Sequence, residues 1–223
     1  MDFRHEWKHE IQYGDFLALR SRLGAVMARD VHAEQGCYRI RSLYFDNLAD
    51  KALREKLDGV NGREKFRIRY YNVDTSLILL EKKSKWDGLC HKEQTPLSLE
   101  EASAVAAGEF QLLAHSEKSL VRELYHKIHS QGLLPKTIVD YTREPFVFAP
   151  GNVRVTLDYD LHTGMGRTDF LNPQCVTIPV RNAPILLEVK WDAFLPSVIR
   201  DLVQVPNTRT SAFSKYAVCR MYG

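Results

Sequence analysis

The sequence predicts an α+β fold in which a closed antiparallel β-barrel of about eight strands is flanked by helices. Segments of alternating polar and apolar residues recur along the chain, and several of them carry charged residues on one face. A closed barrel gives these charged faces a common interior, while the apolar faces pack against helices outside. With 223 residues, of which 44% are hydrophobic, the chain is expected to form a single domain over residues 1–223.

A series of segments predicts strands, because apolar residues alternate with polar ones or form short runs. Asp87 and Gly88, after Trp86, are typical of a tight hairpin turn, here between the strand that ends in LEKKSK and a second arm, LCHKEQT (89–95). The segment APGN (149–152) predicts a second tight turn. The predicted strands are FRHEWKHEI near the start and residues 37–45, 64–72, 76–85, 136–148, 152–161, 174–180 and 184–192.

Four segments predict helices from apolar residues at helical spacing. Ser98, with Glu101 three residues later, matches a capping box, so a helix is expected to begin there. The third helix is expected to stop at Gly132, because glycine readily takes the left-handed conformation that ends a helix. The predicted helices span residues 13–30, 98–110, 117–132 and 193–205.

Composition excludes several classes of protein. The net charge of +3 is too small for a general nucleic-acid binder. The sequence contains no run of about 18 apolar residues, the length needed to cross a membrane. The charged first residues do not match a signal peptide. A cytoplasmic protein is therefore expected. The cysteines lie far apart and without metal-binding spacing, which predicts buried free thiols at Cys37, Cys90, Cys175 and Cys219.

The segment GREKFRIRYY (62–71) concentrates positive charge. Read as a strand, it places Arg63, Lys65, Arg67 and Arg69 on one face, because side chains alternate sides along a strand. Two like charges about 7 Å apart repel by roughly 2.4 kcal/mol at an effective dielectric constant near 20. This repulsion predicts that alanine at Arg67 or Arg69 leaves the ligand-free protein as stable as before or more stable.

Other predicted strands repeat the pattern, with carboxylates that are expected to offset only part of the charge. A polyphosphate would offset the rest, and the planar fork of arginine suits phosphate oxygens. Glu188 among phosphates is suited to hold Mg²⁺ or Mn²⁺. The alternative is that each charged face is simply the solvated side of a sheet. The residues that share faces are Arg4, Glu6, Lys8 and Glu10; Glu81, Lys83 and Lys85; Tyr141 and Arg143; Arg154, Thr156 and Asp158; Glu188 and Lys190.

Eight short segments, taken in order, resemble one known superfamily. They are EWKHEI, RSLYFDN, FRIRYY, LEKKSK, DYTREPF, VRVTLD, LLEVKWD and FSKY. Together they resemble the triphosphate tunnel metalloenzymes (CYTH-like), and among these the catalytic domain of vacuolar transporter chaperone (VTC) polyphosphate polymerases and its bacterial relatives. The likeness runs from about residue 3 to residue 218.

The resemblance implies a role for each matching residue. Glu188 would hold the Mg²⁺ or Mn²⁺ ion, with Glu6 as a further candidate ligand, and Tyr141 and Ser214 would contact the substrate. The residues implied to grip phosphate during catalysis are Lys8, Arg67, Arg69, Lys83, Arg143, Arg154 and Lys215. Four further cations are expected to attract the acceptor and guide a growing chain: Arg63, Lys65, Lys85 and Lys190.

The implied function is metal-dependent phosphoryl transfer, with polyphosphate made from the γ-phosphate of ATP inside a basic tunnel. The expected partners are ATP, triphosphate and polyphosphate, and coupling to export would need a separate membrane protein. Two positions depart from the family pattern. Arg4 replaces the first glutamate of the superfamily's ExExK motif, which makes hydrolysis less expected, and Ala212 replaces a lysine of the polymerase branch.

Three alternatives stay open. The first is a triphosphatase that uses water on the same residues, and the second is a non-catalytic module that binds polyphosphate or a nucleotide. The third is a nucleic-acid binder that uses Arg67, Arg69 and the tyrosines beside them. It is the least expected, because Tyr70 shares no strand face with the arginines and the nearby glutamates would repel a phosphate backbone.

Overall fold

The computed structural model describes residues 4–33, 35–206 and 208–221, apart from the side chain of Arg209. The strands are β1 (His5–Ile11), β2 (Ala28–Arg29), β3 (Tyr38–Asp46), β4 (Arg63–Tyr71), β5 (Asp74–Trp86), β6 (Leu89–Leu97), β7 (Leu134–Phe148), β8 (Val153–Thr163), β9 (Ile178–Pro179), β10 (Ile185–Trp191) and β11 (Arg209–Thr210). The helices are α1 (Tyr13–Val26), α2 (Lys51–Leu57), α3 (Leu99–Ala107), α4 (Ser119–Gln131), α5 (Ser197–Leu202) and α6 (Lys215–Arg220), with 3-10 turns at Phe110–His115 and Pro150–Asn152.

The strands are hydrogen-bonded in the order β11-β1-β10-β8-β7-β3-β4-β5-β6, with β2 against β7 and β9 against β8. The pairings of β1 with β10 and β11, of β8 with β9 and β10, of β2 with β7, and of β4 and β5 with their neighbours are antiparallel. The predicted antiparallel α+β architecture is therefore confirmed. One feature differs from the prediction. A closed barrel needs its first and last strands to pair, and within the described residues β11 and β6 are edges that do not, so the sheet is open. With only two residues, β11 offers little backbone for such a pairing.

The chain divides into two compact units, each built from separate segments of the sequence. Unit 1 comprises the described residues of 1–39, 141–161 and 181–213. Unit 2 comprises the described residues of 40–140, 162–180 and 214–223. Strands β3, β7 and β8 contribute residues to both units.

Each unit has its own hydrophobic core, formed where the apolar faces of strands meet helices. In unit 1, Phe16, Leu19 and Leu23 of α1 pack with apolar residues of β8 and β10 such as Leu157 and Val189. The core of unit 2 brings β4 and β5 against α3 and α4, through residues that include Phe66, Ile68, Leu80, Val105 and Leu124. Burying each such side chain stabilises a fold by about 1.5–3 kcal/mol. The apolar faces therefore lie towards the helices, as the alternation predicts.

Local signals locate several element ends correctly. The hydroxyl of Ser98 accepts the amide N–H of Glu101 at 3.0 Å, and the Glu101 carboxylate accepts that of Ser98 at 2.8 Å, which completes the predicted capping box of α3. Helix α4 ends at Gly132, whose φ is 67°. The predicted hairpin joins β5 to β6 with positive φ at both Asp87 and Gly88, as a tight two-residue turn requires.

Other predicted bounds are wrong by several residues. Helix α1 ends at Val26, because Ala28 and Arg29 pair with β7 instead of continuing the helix. The predicted strand at 174–180 is reduced to Ile178–Pro179, and the predicted helix at 193–205 is reduced to Ser197–Leu202. Among the described residues, no helix is long and apolar enough to cross a membrane. All four cysteines are free thiols, as expected, but only Cys175 and Cys219 are buried, whereas Cys37 and Cys90 are partly exposed.

The short helices α2 and α6 are not predicted by the sequence pattern. Helix α2 depends on a side chain from β3, because the two carboxylate oxygens of Asp46 accept the amide N–H groups of Ala52 and Leu53 at 2.8 and 3.0 Å. Helix α6 begins after Ser214, whose hydroxyl accepts the amide N–H of Ala217 at 3.3 Å. Neither helix is long enough for periodicity to reveal it.

Candidate functional site

In unit 2, the strand register assembles a strongly cationic surface. Residues directly opposite each other in an antiparallel pair lie on the same face of the sheet. Arg67 lies opposite Glu81, Lys65 opposite Lys83 and Arg63 opposite Lys85, and Lys92 of β6 lies opposite Lys83. We call this surface of β4, β5 and β6 the cationic face. Seven cations and one carboxylate give it a net formal charge of +6: Arg63, Lys65, Arg67, Arg69, Lys83, Lys85 and Lys92, with Glu81.

Glu81 lies buried at the centre of this face, with 1% of its surface exposed. Arg67 binds its carboxylate through Nε at 2.8 Å and Nη2 at 2.6 Å. Lys92 lies 3.3 Å from the second carboxylate oxygen, and Arg69 lies 3.6 Å from the oxygen that Arg67 binds. Burial acts to raise the pKa of Glu81, but the cations outweigh it and hold the pKa well below its ordinary value. Glu81 is therefore a buried anion that fixes the neighbouring guanidinium groups.

This pairing overturns the expectation that alanine at Arg67 would stabilise the ligand-free protein or leave it unchanged. Arg67 makes the closest contacts to the buried Glu81 carboxylate, so its removal leaves that anion with weaker partners. Breaking a buried ion pair by removing one partner costs about 3–5 kcal/mol. The alternation along β4 reveals the repulsion between its cations, whereas the attraction to Glu81 depends on the pairing of β4 with β5.

The charge that Glu81 does not offset alters the titration of its neighbours. Tyr44 of β3 lies opposite Arg67. Burial acts to raise the pKa of Tyr44, but Arg67, Lys65 and Arg69 lower it to about 8. The pKa of Lys92 is also lowered, first by burial and then by the two arginines, against the attraction of Glu81. The cationic face therefore favours negative charge on the groups that touch it.

Three further predicted site residues of unit 2 lie at the start of β4 or of α6. Arg63 donates to the carbonyl oxygen of Val60 at 2.6 Å. Ser214 is buried and caps α6, a structural use of the hydroxyl that the resemblance implied for substrate. Lys215 is the first residue of this helix and is partly buried. The next residue, Tyr216, stacks on Tyr44 with ring centroids 5.0 Å apart, which brings the start of α6 to β3.

In unit 1, the register of β1, β10 and β8 forms a second charged surface, which we call the balanced face. Lys8 lies opposite Glu188, and Lys190 lies between Glu6 and Arg154 on the neighbouring strands. Arg143 of β7 joins this surface through its carboxylate contacts. Four cations and four carboxylates compose it: Lys8, Arg143, Arg154 and Lys190 with Glu6, Glu10, Asp158 and Glu188.

The ion pairs of the balanced face centre on Glu188. Lys190 contacts one carboxylate oxygen of Glu188 at 2.6 Å, and Arg143 contacts the other at 3.4 Å. Arg143 also binds both oxygens of Asp158, at 2.6 and 2.7 Å. Lys8 pairs with Glu6 at 3.0 Å. The carboxylates therefore offset the cations more fully here than the sequence analysis expected.

The electrostatics of the balanced face are opposite to those of the cationic face. Burial lowers the pKa of Lys8, but Glu188, Glu6 and Asp158 together raise it above its ordinary value. The pKa of Arg143 is raised as well, because Asp158 outweighs the effect of burial. This face stabilises positive charge, whereas the cationic face stabilises negative charge.

A divalent cation fits this donor set only with further ligands. The described residues contain no group of three or more histidine, cysteine, aspartate or glutamate side chains that could hold a metal ion. Mg²⁺ and Mn²⁺ commonly take one or two carboxylates, with phosphate oxygens and water completing the shell. Glu188, with Glu6 nearby on the same face, matches that chemistry. A bound ion would compete with Lys190 and Arg143 for the oxygens of Glu188.

Arg154 and Tyr141 complete the predicted set in unit 1. Arg154 donates to the hydroxyl of Tyr38 at 2.6 Å and pairs with Asp30 at 3.1 Å. Its Nε atom and the hydroxyl of Thr156 are buried without a hydrogen-bond partner within the described ranges. Water, an ion or a polar ligand can each satisfy such buried groups. Tyr141 is buried, and the Arg143 guanidinium lies over its ring, 5.5 Å from the ring centroid.

Nearly the whole of this chain matches a known protein family. The profile of the VTC domain matches residues 3–222. The chain belongs to the VTC domain family. The predicted resemblance is thereby confirmed over nearly the whole length. Among curated proteins, none matches the chain by sequence.

Solved structures share the fold of this VTC domain at low sequence identity. A candidate adenylyl cyclase of Hippeastrum, described as having a dominant triphosphatase activity, has a TM-score of 0.55 and 17% identity, over 99% of this chain and 96% of its own. A candidate adenylate cyclase of Bacillus halodurans has a TM-score of 0.51 and 16% identity, over 85% of this chain and 80% of its own. At such identity the likeness extends to the fold alone.

Three residues of this VTC domain escaped the sequence analysis as parts of the site. Tyr44 stands in the quoted segment RSLYFDN, but only the register of β3 on β4 places it opposite Arg67. Lys92 lies on the predicted hairpin arm after Gly88, and its contact with Glu81 follows from the pairing of β5 with β6. The alternation places Glu81 on the charged face of its strand, but only the pairing of β4, β5 and β6 reveals its partners.

Proposed function

We propose that this VTC domain is a metal-dependent phosphotransferase that makes polyphosphate from the γ-phosphate of ATP. The observation that carries the proposal is the cationic face, with a net formal charge of +6 around one buried carboxylate. A polyphosphate chain carries the repeated negative charge that such a surface stabilises. Membership of the VTC domain family supports the same assignment.

Phosphoryl transfer asks a protein mainly for positioning and neutralisation of charge. In the proposal, Arg67, Arg69 and Lys83 hold phosphate oxygens on the cationic face. Arginine suits this role because its fork meets two oxygens at once. Glu81 keeps the Arg67 fork in place before the substrate arrives, so little reorganisation is needed on binding.

The remaining predicted residues have proposed roles that follow the family resemblance. Lys8, Arg143, Arg154 and Lys215 are proposed to contact further phosphate oxygens, and Tyr141 and Ser214 to contact the substrate. In unit 1 the carboxylates that pair with these cations hold them in place before the substrate binds. Glu188, with Glu6, is the proposed ligand of Mg²⁺ or Mn²⁺. The ion would neutralise phosphate oxygens as charge develops on them.

The transfer step balances without any further reactant. A terminal oxygen of the acceptor, orthophosphate or the end of a polyphosphate chain, forms a bond to the γ-phosphorus. The bond from that phosphorus to the oxygen bridging to the β-phosphate breaks, and ADP leaves. Arg63, Lys65, Lys85 and Lys190 are proposed to attract the anionic acceptor and to guide the product chain. We place this activity in the cytoplasm, and export of the product would require a separate membrane protein.

A triphosphatase is the second candidate, supported by the triphosphatase activity described for the Hippeastrum protein of similar fold. The third is a module that binds polyphosphate without turnover. The deciding experiment incubates the protein with ATP and Mn²⁺ and resolves the products by chain length. We expect ADP together with chains longer than triphosphate. Equal amounts of ADP and orthophosphate, with no longer chain even when a short primer is added, would establish the hydrolase instead.

Charge reversal tests the proposed path of the chain. Lys65→Glu or Lys85→Glu is expected to shorten the product chains more than it slows the release of ADP, because these lysines act on the acceptor and product. Chain length and ADP are measured in the same reaction. A proportional loss of both would show that these lysines serve catalysis in general and would remove their proposed role as guides.

Triphosphate is also expected to stabilise the folded protein, because it relieves repulsion that only the folded state concentrates. At about 100 times the dissociation constant the gain is roughly 2.7 kcal/mol, or about 5–10 °C in Tm for a chain of this size. Thermal unfolding with triphosphate and Mg²⁺ measures the shift in Tm. Orthophosphate, which has only one phosphate group, is the control. A Tm that millimolar triphosphate leaves unchanged contradicts a polyanion site.

A further inference from the structure

Tyr44 is a buried tyrosine whose hydroxyl lies among the cations of unit 2. Only 3% of its surface is exposed. Its hydroxyl oxygen accepts a hydrogen bond from Nη1 of Arg67 at 2.6 Å. The guanidinium of Arg67 and the ammonium of Lys65 lie 5.5 and 5.8 Å from its ring centroid. Stacking on Tyr216 holds the ring in place.

This arrangement presents the hydroxyl to any anion that Arg67 binds. A phenol can accept one hydrogen bond and donate another at the same time. Arg67 uses the accepting side, and the O–H hydrogen is the group left to meet an anion. A phosphate oxygen that binds Nη1 of Arg67 on this face comes close to the Tyr44 hydroxyl, because Nη1 and the hydroxyl oxygen are only 2.6 Å apart.

We propose that the Tyr44 hydroxyl is a further phosphate-binding group, which donates its proton in a hydrogen bond to a phosphoryl oxygen of the anion held by Arg67. The inference rests on the proposed function, because it takes a triphosphate or polyphosphate to bind the cationic face. It adds a neutral donor to a site otherwise composed of cations. It also requires Tyr44 to be protonated whenever the anion is bound.

Protonation of Tyr44 is therefore linked to binding. The groups that face the hydroxyl are Arg67, Lys65 and Arg69 from β4, Glu81 beyond Arg67, and Tyr216 from α6. The three cations lower the pKa of Tyr44 to about 8 despite its burial. A bound anion counteracts them and favours the protonated phenol, so it raises this pKa. Above about pH 8, binding must first restore the proton, and affinity falls up to tenfold for each unit of pH.

Two variants separate this role from the alternatives. Tyr44→Phe keeps the aromatic stack and removes only the hydroxyl. Tyr70→Phe is the matched control, because the Tyr70 hydroxyl is also buried in unit 2 but donates to the carbonyl oxygen of Phe170 at 3.1 Å, on the opposite face of β4. Calorimetric titration with inorganic triphosphate from about pH 7 to about pH 9.5 gives the Kd of each protein.

At neutral pH we expect Tyr44→Phe to bind triphosphate about tenfold more weakly, the size of one hydrogen bond to a charged acceptor. As pH rises above 8 the advantage of the wild type should shrink, disappear about one pH unit higher and then reverse, because only the wild type must take up a proton before it binds. Tyr70→Phe should follow the wild type throughout. In the ultraviolet difference spectrum between wild type and Tyr44→Phe, triphosphate should move the phenolate transition to higher pH.

Each other outcome overturns the inference. A constant ratio of Kd values at every pH, with an unmoved phenolate transition, would mean that the hydroxyl only orients Arg67. Equal Kd values for all three proteins would remove Tyr44 from the site while leaving the proposed function intact. If the wild type itself does not bind triphosphate, the proposed function fails and the inference fails with it.

Discussion

Replacing Glu188 by glutamine is expected to lower metal-dependent turnover by about 100-fold or more. Glutamine keeps the shape of the side chain but removes the charge that attracts a divalent cation, and a bound metal supplies several kcal/mol of charge stabilisation in such reactions. The change should also weaken Mn²⁺ binding, which calorimetry with Mn²⁺ and triphosphate measures directly. Phosphate contacts on the cationic face should persist, so triphosphate should still raise Tm.

Glu10→Gln is the matched control for Glu188→Gln. Glu10 also lies on the balanced face, but its carboxylate accepts a hydrogen bond from the Ser211 hydroxyl at 2.6 Å and is exposed. Its loss should leave turnover within about twofold of the wild type, a difference below about 0.5 kcal/mol. Full activity in Glu188→Gln would contradict the assignment and make Glu6 or Asp158 the next candidate metal ligand. Asp158 would then have to release Arg143, which binds both of its oxygens.

Glu81→Gln is expected to destabilise the ligand-free protein by about 3–5 kcal/mol, because it leaves the buried Arg67 and Arg69 without their anion. The same change raises the net charge of the cationic face to +7. The variant also loses the contact that positions Arg67, but ordering one side chain costs only about 0.5–1.5 kcal/mol. Removing one negative charge about 5 Å from the anion is worth roughly 3 kcal/mol at an effective dielectric constant near 20. Triphosphate should therefore bind more tightly and raise Tm by more in this variant than in the wild type. Thermal unfolding with and without triphosphate measures both effects, and a smaller ligand shift would contradict the account.

The stability that Glu81 contributes should depend on pH in a defined direction. Its pKa in the folded protein lies well below its ordinary value of 4.5. A carboxylate with a lowered pKa stabilises the fold above its unfolded pKa and loses that contribution as pH falls towards the folded pKa. The difference in unfolding free energy between wild type and Glu81→Gln should thus be constant near neutrality and shrink below about pH 4.5. Denaturant unfolding at several pH values checks this.

Alternation alone predicts which residues of each strand share a face, and it does so correctly for β4 and β5. It does not predict which carboxylate reaches which cation, because that depends on the pairing of strands distant in sequence. Arg67 and Glu81 are 14 residues apart, and their contact reverses the expected effect of alanine at Arg67. For the same reason, alternation does not predict that carboxylates offset the cations on the balanced face but leave a large positive charge on the cationic face.

Short elements were the hardest to predict, since they are stabilised from outside. Helix α2 depends on Asp46, and Asp46 in turn accepts a hydrogen bond from the Tyr216 hydroxyl of α6 at 2.7 Å. No local pattern encodes this linkage. Closure of the sheet was also beyond the sequence, because pairing between edge strands is a property of the whole topology. Individual strand patterns do not identify the fold family, whereas the eight segments taken in order do.

The central claim is that one face of β4, β5 and β6 binds a polyanion and the other does not. Lys82 and Lys83 are neighbours on β5 and test it directly, because they lie on opposite faces. Lys82 contacts Glu123 of α4 at 2.6 Å and Glu64 at 3.7 Å, whereas Lys83 lies on the cationic face. Calorimetric titration of triphosphate into Lys82→Gln and Lys83→Gln compares the two sides with one chemical change. The account predicts that Lys83→Gln raises Kd about tenfold, or about 1.4 kcal/mol, while Lys82→Gln leaves Kd unchanged. Equal values of Kd in the two variants would contradict it.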